Sequence, residues 1–168
     1  MSAVEIRPAR ADDLPFLGAI DLSGGETFAR YGQPLADIST APSGHWRVVM
    51  DAGLLWILDY PASGPIGFLA AELVDGGLYV EQITVAIDHQ QQGHGRRLMR
   101  TAIDWARAEG LAAVTLTTFR AIPWNKPFYA SLGFVELAPA DMPPHLTAHL
   151  ANEASRGFQD RCAMRLAL

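Results

Sequence analysis

A short run rich in glycine and arginine, Gln90–Arg97, has the composition of a phosphate-binding turn. It lies between an apolar strand-like segment and a helix-like segment, so its backbone N–H groups would lie at a helix N-terminus. Such groups carry the positive end of the helix dipole, which suits a phosphate or pyrophosphate. Gly93 and Gly95 have no Cβ and let a ligand approach closely. Arg96 and Arg97 add positive charge that an anionic ligand would neutralise.

The segments on either side of this turn have clear periodicity. Leu78–Val85 is rich in β-branched and aromatic residues and follows Asp75-Gly76-Gly77, which predicts a strand after a tight turn. The residues after the turn place two apolar rows on one helical face. These rows are Leu98, Ala102 and Trp105, and Met99, Ile103 and Ala106.

Two common phosphate-binding motifs are excluded here. A P-loop needs Gly-Lys-Ser/Thr, and a dinucleotide fingerprint needs a third glycine where Leu98 stands. The spacing Gln-x-x-Gly-x-Gly after Ile83-Thr84-Val85 instead resembles the acetyl-CoA motif of the GNAT superfamily of N-acetyltransferases. The alternative is a plain strand–turn–helix with glycines for packing. The resemblance implies cofactor contacts by Ile83, Thr84, Val85, Gln91, Gln92, Gly93, His94, Gly95 and Arg96. His94 is expected to contribute its amide and leave its ring in solvent.

A second motif lies downstream, in Phe128-Tyr-Ala-Ser-Leu-Gly-Phe134. It resembles the GNAT signature aromatic-Tyr-x-x-Leu-Gly-Phe, and the resemblance implies that Tyr129 is the general acid. The family asparagine usually precedes this tyrosine by seven positions, whereas Asn125 precedes it by four. Asn125 therefore either contacts CoA or only caps a short helix.

The order of the predicted elements indicates an α/β protein. The GNAT fold is expected, with a central mixed, mostly antiparallel sheet of six to seven strands flanked by helices. Residues 1–168 are expected to form a single domain. A first helix begins near Asp12 and Asp13, with Phe16, Leu17, Ile20 and Phe28 on its apolar face. The strands are predicted at Val4–Arg7, Leu54–Asp59, Ile66–Val74, Leu78–Val85, Ala112–Phe119 and Arg161–Leu168, and a late helix at Met142–Arg156.

Composition limits the class of protein. The net charge of −5 disfavours electrostatic binding to nucleic acid. No apolar run has the length of a membrane span, and the N-terminal residues lack an apolar signal region. Cys162 is the only cysteine, so no internal disulfide can form. A cytoplasmic location is the default expectation.

Acyl transfer from a thioester to an amine would need three groups. The ammonium titrates near ~10 and must lose a proton; the carbonyl oxygen must be stabilised; and the departing thiolate must gain a proton. Glu81, on the central strand, is the candidate base, acting directly or through water. The alternative is that Glu81 only binds a loop or faces solvent. Tyr129 supplies a phenol, whose ordinary pKa near ~10 lets it donate to a thiolate.

No motif in the sequence identifies the acceptor amine. Residues 31–45 are rich in Pro, Ser and Gly, which indicates a loop or a broken second helix. The resemblance implies that this region borders the acceptor cleft, with Glu26, Tyr31 and Trp46 as candidates. Enzymes of the family that acetylate protein N-termini often carry a glutamate where Thr118 stands here, which disfavours that subclass.

The histidines form no convincing metal motif. His145, His149 and Glu153 are spaced by four residues on one helical face, but such spacing is weak evidence and a solvated face is the simpler interpretation. No metal is expected. His89 and His94 flank the glycine turn.

The predicted function is transfer of an acetyl group from acetyl-CoA to a small-molecule primary amine in a ternary complex. Two alternatives remain open: a non-catalytic CoA-binding module of the same fold, and an acetyltransferase for protein lysines or N-termini. No nucleic-acid or membrane partner is expected, and a homodimer is possible by resemblance.

Overall fold

The computed structural model describes residues 3–34 and 44–168, and in that part of the chain seven strands form one sheet. The strand order is β1-β2-β3-β4-β5-β7-β6. The strands are β1 (Glu5–Pro8), β2 (Leu55–Tyr60), β3 (Gly64–Val74), β4 (Gly77–Val85), β5 (Ala113–Phe119), β6 (Val135–Glu136) and β7 (Arg161–Ala167). The helices are α1 (Leu14–Ala29), α2 (His45–Asp51), α3 (His94–Ala108), α4 (Asn125–Ala130) and α5 (Pro144–Ser155).

The sheet is mixed, as predicted. The pairs β1–β2, β2–β3, β5–β7 and β6–β7 are antiparallel, whereas β4 and β5 are parallel. Two compact units divide the described residues: Met1–Glu72 with Glu81–Asp104, and Leu73–Val80 with Trp105–Leu168. The single domain remains a prediction.

In the first unit, helix α1 packs closely on strand β4. Its buried face carries Leu17, Ile20, Asp21, Gly24 and Gly25. A Cβ at Gly24 would lie 2.0 Å from the Thr84 hydroxyl and 2.9 Å from the Val85 carbonyl oxygen, so only glycine permits this approach. The close packing holds α1 against the strand that precedes the glycine turn.

The second unit is organised around strand β5. Its Leu78–Val114 pairing joins β4 and β5, and β7 runs antiparallel along the other edge of β5 from Ala113 to Phe119. Helix α5 covers this region through Leu146, which is fully buried with Tyr79 and Ala163. Within the described residues, no helix is both long and apolar enough to cross a lipid bilayer.

Several predicted details of the elements are wrong. Helix α5 begins at Pro144 rather than Met142, because a residue that precedes proline is disfavoured in the helical region, and Pro143 is extended (φ −61°, ψ 152°). Phe16 is 53% exposed rather than on the apolar face, since it lies about 100° around the helix from Leu17. Helix α2 and the two-residue strand β6 were not predicted.

Candidate functional site

The glycine turn presents accessible backbone amides in front of helix α3. Gln91, Gln92 and Gly93 are exposed, and Gln91 and Gly93 have positive φ angles of 60° and 81°. The Arg97 N–H donates to the Gly93 carbonyl oxygen at 3.1 Å, so the first turn of the helix starts at Gly93. The preceding N–H groups stay available for a ligand, as expected at a helix N-terminus.

The side chain of Gln90 fixes the base of this turn. Its amide donates to the Val85 carbonyl oxygen at 2.9 Å and lies 3.3 Å from the Gly24 carbonyl oxygen. Its own carbonyl accepts from the Thr27 hydroxyl at 2.9 Å. The turn is therefore held to both α1 and β4 before any ligand binds, which lowers the entropy lost on binding. The sequence analysis did not single out Gln90.

His94 opens helix α3 and is buried, at 9% exposure, so the expectation that its ring would lie in solvent is wrong. Its Nδ1 makes no hydrogen bond to any residue that the structure describes. Burial lowers the pKa of His94, and the charges of Arg97 and His89 lower it further. The ring is therefore neutral at pH 7. Exposed amides, a helix N-terminus and nearby arginines together fit the diphosphate of a coenzyme.

Glu81 lies in the middle of strand β4, and its carboxylate pairs with a histidine. The His45 Nε2 and Glu81 Oε2 atoms are 2.6 Å apart. The side chains are 30% and 18% exposed, so both are recessed but reachable. The His45 ring also meets Trp46 edge-on at 4.9 Å, and Trp46 packs edge-on against Phe68 at 5.3 Å. His45 was not among the predicted site residues.

A second carboxyl, that of Asp21 in helix α1, is buried against strand β4. Asp21 is 2% exposed, and its Oδ1 accepts from the Gln82 side-chain amide at 2.6 Å. Its Oδ2 has no hydrogen-bond partner among residues 3–34 and 44–168. Burial raises the pKa of Asp21 to about 7, although the Gln82 hydrogen bond opposes the change. Asp21 is thus partly protonated at neutral pH.

In the second unit, Tyr129 is part of a buried polar group of three residues. The Asn125 amide donates to the Thr118 hydroxyl, and Thr118 is hydrogen-bonded to the Tyr129 phenol. Burial raises the pKa of Tyr129 to about 12, so the phenol keeps its proton. Helix α4 has Trp124 at its N-cap and no side-chain cap, so the capping role considered for Asn125 is wrong. Its contact with CoA remains a prediction.

The histidines of helix α5 pack instead of forming a metal site. His149 stacks on Tyr79 at 4.2 Å, and His145 meets the same ring edge-on at 6.1 Å. Glu153 forms an ion pair with Arg161 at 2.9 Å and accepts from the Thr117 hydroxyl at 2.6 Å. No group of three or more metal-ligating side chains occurs within the described ranges. The solvated face expected for this helix is wrong, because these side chains are half-buried.

Of the candidates for the acceptor cleft, Glu26 and Tyr31 are exposed and Trp46 is half-buried. Residues 31–45 were predicted as a loop or a broken second helix, and most of them lie outside the described residues. In the first unit, Glu81 and Ile83–Val85 lie on strand β4, and residues 91–96 form the glycine turn and the first residues of helix α3. Tyr129 and Asn125 lie in the second unit.

His45 and Gln90 carry too little local signal to be selected from the sequence. Gln90 is the first residue of the Gln-x-x-Gly-x-Gly spacing, and only this position in the sequence points to a role for its side chain. His45 is 36 positions away from Glu81 and belongs to a helix of only seven residues.

Comparison with known proteins bears directly on the family. The model of the acetyltransferase (GNAT) family matches residues 25–134. The probable N-acetyltransferase camello of Xenopus laevis is 31% identical over 101 residues, which are 59% of this chain and 46% of that protein. The chain thus spans about half the length of this curated relative.

Solved structures confirm the predicted fold. The PaiA N-acetyltransferase from Thermoplasma acidophilum, in complex with coenzyme A, superposes with a TM-score of 0.75 at 13% identity, over 99% of this chain and 100% of that one. N-acetylglutamate synthase from Neisseria gonorrhoeae, with coenzyme A and N-acetyl-glutamate, has a TM-score of 0.73 at 18% identity, over 100% of this chain and 36% of that one. The ribosomal-protein-S18-alanine N-acetyltransferase from Escherichia coli has a TM-score of 0.66 at 22% identity, over 98% of this chain and 94% of that one. The predicted motifs, the fold and the family match agree, and this chain belongs to the acetyltransferase (GNAT) family.

Proposed function

We propose that this protein transfers the acetyl group of acetyl-CoA to a primary amine of a small molecule, by direct attack in a ternary complex. The observation that carries the proposal is the His45–Glu81 pair, a proton-accepting couple on the strand that leads into the glycine turn. An acyl acceptor must lose a proton to become a nucleophile, and this pair supplies the group that can take it.

Acetyl-CoA is the proposed co-substrate, held through its diphosphate by the amides of residues 91–96. The exposure of Gln91, Gln92 and Gly93 and the 15-residue helix behind them support this assignment. Ile83, Thr84 and Val85 are the proposed contacts for the pantetheine arm, and their backbone N–H groups would polarise the thioester carbonyl. The coenzyme supplies the activated acetyl group, and the chain's own residues bind it and handle protons.

Tyr129 is proposed to hydrogen-bond the departing thiolate. Its pKa of about 12 lies above that of a thiol, which is near ~8.5, so complete proton transfer to sulfur would be uphill by ~5 kcal/mol. A hydrogen bond from a phenol that stays neutral still stabilises negative charge on sulfur as the C–S bond breaks.

A small acceptor is proposed over a protein substrate. Glu81 and His45 are only 18% and 30% exposed, so an amine on a slender group reaches them most easily. Thr118, at the position where N-terminal acetyltransferases often carry glutamate, is 2% exposed and bonded to Asn125, so it is committed to an internal role. Homodimerisation and a cytoplasmic location remain proposals from the sequence; light scattering and cell fractionation test them.

The test is a panel of amines assayed for release of CoA thiol from acetyl-CoA. The panel should contain polyamines, amino acids, aryl-alkylamines and peptides with free N-termini or lysines. Turnover with a small amine above the rate with any peptide supports the proposal. Turnover confined to peptides would assign a protein substrate instead. Tight CoA binding with no turnover across the panel would favour a non-catalytic module.

A further inference from the structure

We propose that His45 accepts the proton of the acceptor amine, and that Glu81 orients the imidazole rather than acting as the base itself. This inference rests on the proposed acetyl transfer and assigns a separate role to each residue of the proton-accepting pair. It differs from the sequence-based prediction, in which the Glu81 carboxylate was the base.

The distance within the pair determines where its proton lies. The His45 Nε2 and Glu81 Oε2 atoms, 2.6 Å apart, would repel each other as two bare lone pairs, so a proton lies between them. When the carboxylate is ionised, that proton belongs to Nε2. The imidazole then presents its unprotonated nitrogen, Nδ1, as the remaining acceptor.

Electrostatics favours protonation of the ring over protonation of the carboxylate. A proton added at Nδ1 creates an imidazolium hydrogen-bonded to a carboxylate, which is an attractive ion pair in a recessed site. A proton added to Glu81 would neutralise the carboxylate and leave a neutral ring beside it. In catalytic histidine–carboxylate pairs, the carboxylate fixes the tautomer of the histidine and stabilises the imidazolium that forms. The His45–Glu81 pair has the same arrangement.

The surroundings of the ring fit this role. His45 is the first residue of helix α2, and its ring contacts Trp46 on one side and Glu81 at Nε2. At 30% exposure, the His45 side chain is more accessible than Glu81, at 18%. The imidazole is thus held in place by two neighbours and can still exchange a proton with solvent.

The proton balance of the step is complete. The free amine attacks the thioester carbonyl, a C–N bond forms, and the nitrogen becomes positively charged. Nδ1 of His45 takes one N–H proton, the C–S bond breaks, and its electron pair leaves on sulfur as a thiolate. The thiolate takes up a proton from solvent to give the thiol. The imidazolium then releases its proton to solvent, which restores the resting ring.

Two substitutions of the histidine test the assignment with the best amine from the panel. His45→Gln keeps an N–H that can donate to Glu81 but has no basic nitrogen, and His45→Ala leaves space for added imidazole. We expect kcat to fall by roughly 100-fold or more in both, with the KM for acetyl-CoA nearly unchanged. Added imidazole should restore His45→Ala by roughly 10-fold or more and should not restore Glu81→Gln.

The controls separate this inference from the proposed function. Arg47→Gln, an exposed change in the same helix, should keep wild-type turnover, and calorimetry should show that every variant still binds CoA. An active wild-type protein whose His45→Gln variant is equally active overturns the role of His45 alone. The same holds if imidazole fails to restore His45→Ala. An inactive wild-type protein overturns the proposed function together with this step.

Discussion

Burial favours the neutral form of three side chains in this protein. Burial raises the pKa of Asp21 to about 7 and that of Tyr129 to about 12, and it lowers the pKa of His94. For Asp21 and Tyr129 the cost of moving a charge out of water outweighs a hydrogen bond that favours the charged form. A neutral His94 leaves the backbone amides and the arginines as the positive groups at the turn.

Asp21 should make the protein less stable as the pH rises. Its folded pKa of about 7 lies above the ordinary value of 3.8, so the folded state holds this proton more tightly than the unfolded state. The stabilisation is complete below the unfolded pKa and is lost as the pH rises through about 7. Asp21→Asn retains an oxygen for the Gln82 amide and cannot titrate.

Urea unfolding of wild type and Asp21→Asn at about pH 5 and pH 8 measures this effect. The wild-type free energy of unfolding should fall by about 2–3 kcal/mol more than that of the variant, at ~1.4 kcal/mol per pH unit over the interval in which Asp21 titrates. Asp12→Asn, at an exposed carboxyl just before helix α1, should follow the wild-type curve. Parallel curves for wild type and Asp21→Asn would contradict the assignment.

Tyr129→Phe should lower kcat by roughly 10- to 100-fold, because the ring remains while the phenol that bonds Thr118 and is proposed to bond the departing sulfur is lost. The KM for acetyl-CoA should change little, since the proposed contacts with the diphosphate lie elsewhere. Steady-state kinetics with saturating amine measure both. Tyr60→Phe, at a half-buried tyrosine of the first unit, is the matched control. Unchanged turnover in Tyr129→Phe would remove Tyr129 from its proposed role.

At the scale of elements, the contact between helix α1 and strand β4 depends on one glycine. Gly24→Ala would bring a methyl group to 2.0 Å from the Thr84 hydroxyl and should cost about 1–3 kcal/mol of stability. A Cβ at Gly18, on the same helix, would have no atom of the described residues within 4 Å, so Gly18→Ala should gain about 0.5–1 kcal/mol. Urea unfolding of both variants measures the difference. Equal effects would show that α1 does not pack on β4 as described.

The glycine turn makes a separate prediction. Gly93 has a φ of 81° with open space around it, so alanine there meets backbone strain of ~1–2 kcal/mol and no steric clash. The turn should relax away from its ligand-binding conformation, and CoA affinity should fall by roughly 10-fold. Gly110 has a similar φ of 71° and open space but lies outside the turn. Calorimetry should therefore find normal CoA affinity for Gly110→Ala, and equal affinities for both variants would exclude the turn as the anchor.

Elements and motifs that depend on local spacing were predictable, whereas pairings across long separations were not. The turn before α3 follows from two glycines and from the apolar rows of the helix, all within a few residues of one another. The bond between Asp21 and Gln82 joins positions 61 residues apart, and nothing in either neighbourhood signals it. Helix α2 was missed because seven residues are too few to show a helical period. Because helix α2 was not predicted, His45 was not considered as a site residue.

The whole chain has a net charge of −5, whereas its two proposed ligands, an ammonium and acetyl-CoA, have opposite charges. The overall field of the protein would attract the ammonium and repel the polyanionic coenzyme at long range, and salt would screen both effects. The proposed coenzyme binding therefore requires short-range contacts with the amides of the turn and its arginines. The sheet serves this arrangement because β4 carries both Glu81 and the residues that lead into the turn.

The proposed function depends above all on direct passage of acetyl from acetyl-CoA to an amine. Its most direct test is one reaction in which mass spectrometry quantifies the acetylated amine and the intact protein while a thiol reagent quantifies free CoA. We predict one acetylated amine for each thiol released, and a protein mass that does not change during turnover. Thiol released without acetylated amine, or acetyl accumulating on the protein in step with turnover, would contradict the account.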